Sequence, residues 1–264
     1  MKPSQEHKSE VIKPFNDKSV DPAEQQKFSQ FAQSWWDPNG PMKPLHQLNP
    51  VRLDYIKQQY QRHLVLKKNS DDPGTPLQGV RLLDVGCGAG LVSEGLSRMG
   101  AAVSAIDATE KMIEAAKHHL QASPAPLTIN YRHATVSQLV EEGKSFDAIT
   151  ALEVIEHVDD PSGFLVDLAK LVRPGGMLIL STLNKTARSY LLGIIAAEYV
   201  LRLLPRGTHE WQRFVKPAQM VASLQAEGFE AVDLTGIRYN PFAGSFTLTP
   251  HDVAVNYIIS FKKQ

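Results

Sequence analysis

Short apolar runs alternate with helical stretches from residue 80 to residue 183, and this alternation most constrains the fold. VRLLDVG (80–86) reads as a buried strand, LVSEGLSRMG (91–100) as a helix ending at Gly100, and AAVSAID (101–107) as a second strand. EKMIEAAKHHL (110–120) continues as a helix, and LTINYRHA (127–134) and SFDAITAL (145–152) as strands three and four. Asp160 and Pro161 start a helix that runs to about Val172, PGG (174–176) closes it, and MLILSTL (177–183) is strand five. Strands that alternate with helices predict an α/β fold with a doubly wound, mostly parallel sheet. DLTGIRYNPF and VAVNYIISF in the tail add two strands, for seven in all.

Upstream, residues 22–36 space Phe28, Phe31, Ala32 and Trp35 as one face of a helix, with Asp21 as its cap and Pro22 at its first position. A second helix is expected over 49–66, then a polar loop. Residues 1–20 are polar and mixed in charge and read as a flexible arm; they lack the apolar core of a secretory signal. Residues 21–264 form the folded domain. Lys plus Arg number 28, as do Asp plus Glu, so no global basic excess points to nucleic acid. The single cysteine, Cys87, excludes an intramolecular disulfide and suits a reducing compartment. It reads as a small spacer between glycines.

DVGCGAG sets Gly86, Gly88 and Gly90 directly after strand one. Glycines let the backbone turn sharply and approach a ligand closely. Leu91 stands where a dinucleotide fingerprint needs its third glycine, which argues against a pyrophosphate site. Asp107 ends strand two, where a carboxylate can accept both hydroxyls of a ribose. The plainer alternative is a tight turn and a helix-capping aspartate.

LLDVGCGAG, AIDATEKMIEAAK and FDAITALEVIEHV resemble the motifs of class I S-adenosylmethionine-dependent methyltransferases. The resemblance implies that Gly86 and Gly88 lie against the methionine part of the donor, that Asp107 holds its ribose, and that Leu152 contacts it through its backbone. Three further stretches, 31–56, 181–217 and 238–246, are similar to the family of ubiquinone-biosynthesis O-methyltransferases. That family methylates polyprenylated catechols, demethylubiquinol among them. The likeness runs from about Asp21 to the end. It implies that Arg52, in the NP-x-R segment, binds the donor, a planar guanidinium suiting the methionine carboxylate. A surface arginine on a helix is the alternative.

ALEVIEHVDD (151–160) crowds Glu153, Glu156 and His157 past the end of strand four. In open α/β sheets that edge forms the ligand crevice. Two carboxylates and an imidazole can complete a Mg²⁺ shell with waters and a catechol oxygen, and the resemblance implies this role for all three. Two other readings stay open: Glu153 or His157 as a general base without metal, and a structural role as caps and packing.

SYLLGIIAAEYVLRLLP (189–205) is apolar almost all round, and it is short and interrupted by Glu198 and Arg202 for a bilayer-spanning helix. It would lie at a membrane surface and admit the polyprenyl tail, or else serve as a core or dimer-interface helix. The insertion 185–217 would thus face substrate and membrane. His209 would face substrate or hold a loop; Trp35 and Trp36 would lid the donor or enter the core; Tyr239 and Phe242 would line the ring pocket. The resemblance also implies other ubiquinone-biosynthesis enzymes as partners. The long loop before strand one and the wording NKT-x-x-SY resemble mitochondrial members of that family more than bacterial ones, which implies the matrix side of the mitochondrial inner membrane, with the bacterial cytoplasm, beside the inner membrane, as the alternative. The rival functions are a class I methyltransferase with another acceptor and a non-catalytic donor-binding subunit.

Overall fold

The computed structural model describes residues 25–26, 29–64, 74–190 and 211–264. Eight strands form one sheet: β1 (Arg81–Val85), β2 (Ala102–Asp107), β3 (Ile129–His133), β4 (Phe146–Leu152), β5 (Val172–Leu183), β6 (Phe229–Asn240), β7 (Ser245–Thr249) and β8 (Asn256–Lys263). Their order across the sheet is β3-β2-β1-β4-β5-β8-β6-β7. The first five are mutually parallel, and β8, β6 and β7 add on antiparallel. The expected seven strands are present, and β7 is an eighth. It forms a hairpin with β6 in which Tyr239 lies opposite Phe246. No apolar run announces β7, because SFTLT stays half in solvent.

The central strands are apolar throughout because both faces are covered. Leu83, Val85, Ile149, Ala151, Leu178 and Leu180 enter one core. Their neighbours Leu82, Ala148, Met177 and Ile179 enter the other. Successive strand residues point to opposite faces, so this split is the period of two made visible. On the first face pack Leu165 and Leu168 of the helix Pro161–Leu171, with Met220 and Leu224 of the helix Pro217–Ala226. On the second pack Tyr55, Ile56 and Tyr60 of the helix Lys43–His63, and Leu96 and Ile113 of the helices Leu91–Arg98 and Glu110–Ala122. Fully burying one such side chain stabilises the fold by about 1.5–3 kcal/mol.

Two helix boundaries differ from expectation. The second helix begins at Lys43, not 49, with proline in its first turn, and Pro50 lies inside it. Pro50 removes one backbone bond, but the buried face of Arg52, Tyr55, Ile56, Gln59 and Tyr60 holds the helix together. The helix expected over 22–36 does not run through 30–36, which are successive turns. Ser34 N–H donates to Phe31 O and Asp37 N–H to Ser34 O, each at 3.1 Å. Pro38 lacks the N–H to extend a helix and disfavours helical backbone at Asp37. Asp21 and Pro22 lie outside the described residues, as do 1–20.

Candidate active site

The loop after β1 is bent by left-handed glycines, with φ of 64° at Gly86 and 55° at Gly88. A side chain at Gly86 would collide with Val154, and one at Gly88 would come within 2.6 Å of the Trp35 ring. Glycine is therefore required twice over, for backbone angle and for space. Asp107 locks the loop in place. Its Oδ2 accepts Gly88 N–H at 2.9 Å and its Oδ1 accepts Thr109 N–H at 2.8 Å. Burial raises its carboxyl above the ordinary range, and those two backbone donors oppose the rise. The Thr109 side chain adds a third donor, which leaves the carboxylate with lone-pair capacity for an incoming hydroxyl.

Trp35 and Trp36 close over this loop, and each does a separate job. Trp35 is buried with Met42, Ala89 and Met112. Trp36 donates its indole N–H to Ala89 O at 3.0 Å and stacks on His119 at 3.4 Å. His119 in turn pairs with the fully buried Glu94, which also takes Arg98. The segment before the helix Lys43–His63 is thereby tied to the glycine loop and to the two helices beside it.

Behind the loop stands a carboxylate that sequence reasoning missed. Asp84 in β1 accepts the Ser93 hydroxyl at 2.5 Å and the Thr150 hydroxyl at 2.9 Å. Burial pushes its carboxyl up to about 6, against the pull of both hydroxyls. A lone acid inside the apolar run LLDVG was the available signal. Cys87, buried beside it, has its thiol pushed well up by burial, which fits a spacer and not a nucleophile.

β4 delivers the acidic cluster. Leu152 is its last residue, paired with Ser181 on β5. Glu153 follows at φ 56°, a left-handed conformation unusual for a residue with a side chain. Its N–H donates to Ser181 O at 2.9 Å, and its Oε1 accepts both the Ser181 hydroxyl at 2.7 Å and Arg52 Nη2 at 2.8 Å. Arg52 reaches it from the helix Lys43–His63 and is only 5% exposed. Glu156 sits in a single 3-10 turn, Ile155–His157, 3% exposed. Neither of its oxygens has a hydrogen-bond partner among the described residues. Burial first, and the charge of Glu153 second, hold its carboxyl well above the usual range.

The structure thus brings Arg52, Glu153 and Glu156 together, with His157 half-buried one residue on. Among the described residues, no three His, Cys, Asp or Glu side chains are disposed as a ready metal site. The orphaned Glu156 carboxylate beside a second carboxylate nevertheless suits a cation, because a buried unpaired charge is costly. Asp159 and Asp160 do not join this cluster. Asp160 caps the next helix through Gly163 N–H at 3.0 Å, and Asp159 faces Arg213.

The more distant candidates separate. Phe242 is fully exposed at the β6–β7 turn, and Tyr239 packs on Phe246. Trp211 donates to Thr186 O at 3.0 Å. His209 and 191–204 lie outside the described residues. Among the described residues, no helix is long and apolar enough to cross a membrane.

Residues 83–180 match the family model described as a methyltransferase domain. The ubiquinone biosynthesis O-methyltransferase of Roseobacter denitrificans is 43% identical over 93% of this chain and 97% of its own length. This chain belongs to the ubiquinone-biosynthesis O-methyltransferase family. It is an S-adenosylmethionine-dependent O-methyltransferase. The mitochondrial family member of Arabidopsis thaliana is 44% identical over 91% of this chain and 73% of its own length. In fold, the methyltransferase is similar to the magnesium protoporphyrin IX methyltransferase of Synechocystis PCC 6803 solved with bound SAH. The TM-score is 0.65 at 22% identity, over 90% of this chain and 95% of that one.

Proposed function

We propose that this family member methylates a hydroxyl of polyprenylated catechols in ubiquinone synthesis, demethylubiquinol among them, with help from a divalent cation. The observation that carries the reading is the buried, unpartnered Glu156 carboxylate beside Glu153, at the carboxyl edge of a sheet whose glycine loop and Asp107 suit an adenosyl donor. The relatives' names support the substrate class.

Gly86 and Gly88 would lie against the methionine part of the donor through their backbone, Asp107 would take its ribose hydroxyls, and the backbone of Leu152 would lie alongside. Arg52 Nε is buried without a partner among the described residues and suits the donor's carboxylate. Glu153, Glu156 and His157 would hold Mg²⁺ or another divalent ion. Bound S-adenosylmethionine supplies an electrophilic methyl, and the cation supplies charge that favours the catecholate over the catechol. The chain's task is then alignment. The hydroxyl loses its proton to solvent, its oxygen forms the new C–O bond as the S–C bond breaks, and SAH leaves. Holding the two atoms in line at near-attack distance provides much of the acceleration.

The segment 189–204 would lie on the membrane surface and admit the polyprenyl tail, with other enzymes of the pathway as neighbours. The name of the Arabidopsis relative supports a mitochondrial location, and within it the matrix face of the inner membrane is our reading. Deleting 189–204 is expected to release the protein from liposomes in flotation; recovery equal to wild type would refute the membrane role.

The deciding assay is turnover of a short-chain demethylubiquinol analogue, with and without chelator. Methylated product that disappears with chelator and returns with Mg²⁺ is expected. Full activity without divalent ion would remove the cation. SAH binding with no turnover on any catechol would point instead to a non-catalytic subunit.

A further inference from the structure

Arg52 pairs with Glu153 of the acidic pair, and its guanidinium is only half used. Nη2 donates to Glu153 Oε1 at 2.8 Å, while the buried Nε lacks a partner among the described residues. A guanidinium has five N–H donors in a rigid fork but a single charge. It can touch two carboxylates, yet the charge that neutralises one is shared with the other. Glu153 cannot swing away to compensate. Its backbone is pinned at φ 56° by the bond to Ser181 O, and the Ser181 hydroxyl holds the same carboxylate oxygen. Glu156, next to it, has no donor of its own among the described residues.

We infer that the Arg52–Glu153 ion pair links the two sites: a donor carboxylate that engages Arg52 weakens its hold on Glu153, and a divalent cation then binds more tightly at Glu153 and Glu156. The inference rests on the proposed reading that Arg52 takes the donor's carboxylate and that the acidic pair takes a cation. Linkage makes the effect reciprocal, so the cation tightens donor binding by the same factor. Donor and cation would then favour each other's presence, and the doubly loaded form would be enriched over what independent binding gives. Arg52 acts here as a positioning residue.

The test is a titration of full-length protein with Mn²⁺, followed by the electron paramagnetic resonance signal of the free ion, with and without saturating SAH. SAH is the suitable probe because it keeps the carboxylate and lacks the sulfonium charge. We expect SAH to lower the Mn²⁺ dissociation constant by about fivefold or more. Calorimetry should show the same factor on SAH when Mn²⁺ saturates. Glu153→Gln keeps a group for Ser181 but removes the ion pair, and the factor should fall towards one while SAH still binds. Equal Mn²⁺ affinity with and without SAH, or weaker affinity with it, overturns the linkage and leaves the cation site standing. No Mn²⁺ binding in either state overturns the cation site and the linkage together. No heat from SAH removes the donor site and with it the linkage. Should Glu153→Gln not fold, the reciprocity of the two wild-type titrations decides alone.

Discussion

Asp84→Asn isolates one buried charge behind the glycine loop. Asp84 is 3% exposed and receives two hydroxyl hydrogen bonds, from Ser93 and Thr150. Its carboxyl is nonetheless raised from an ordinary 3.8 to about 6, because burial outweighs both donors. The sign follows from proton linkage. Between pH 4 and 6 the native state holds a proton that the unfolded chain has released, so stability falls as pH rises through that window. At about 1.4 kcal/mol for each pH unit, ionised Asp84 costs the fold about 3 kcal/mol at pH 7. Asparagine resembles the protonated acid in shape and keeps an acceptor, and either hydroxyl can rotate to meet its amide. Urea unfolding of both proteins from pH 4 to pH 8 measures the difference. The variant should match wild type near pH 4 and gain up to about 3 kcal/mol over it by pH 7. A difference that stays flat with pH would refute the argument, since Asp84 would then titrate alike in both states. A wild type that gains on the variant as pH rises would show that the hydroxyls outweigh burial.

Three further outcomes are expected. Gly88→Ala forces a methyl into a left-handed backbone and against the Trp35 ring, which should cost about 1–3 kcal/mol in thermal unfolding and weaken SAH by tenfold or more in calorimetry. Unchanged SAH heat would show that the loop does not meet the donor. Trp36→Leu loses the bond to Ala89 O and the stack on His119, and should lower stability by about 1–2 kcal/mol; a melting temperature equal to wild type would mean the segment is not anchored there. Glu156→Gln removes an unpartnered buried carboxylate and should raise stability by about 1 kcal/mol or more while abolishing Mn²⁺ binding. A variant that is less stable and binds Mn²⁺ as before would contradict both halves.

The alternation of strands and helices from 80 to 183 was legible because its signals are local. Apolar runs such as MLILSTL tolerate only a sheet covered on both faces, and Gly86, Gly88 and Asp107 mark its carboxyl edge by position alone. The same local logic failed where distant groups compete. Trp35 sits at helical spacing from Phe28 and Phe31, yet its neighbour Trp36 bonds to Ala89 O, 53 residues away, and Pro38 stops any helix from running on. The second helix was expected from 49, and the buried face on either side of Pro50 carries it back to Lys43.

Sequence alone determined the parallel sheet, the bend after β1, and the gathering of Glu153, Glu156 and His157 past β4, because each follows from hydrophobic period, backbone freedom or chain adjacency. Only the tertiary structure decided who their partners are. It set Arg52 against Glu153 from 101 residues away, left Glu156 buried without a donor among the described residues, and hid Asp84 between two hydroxyls. The physical reason is that burial and charge pairing depend on distances through space, which no spacing along a chain encodes.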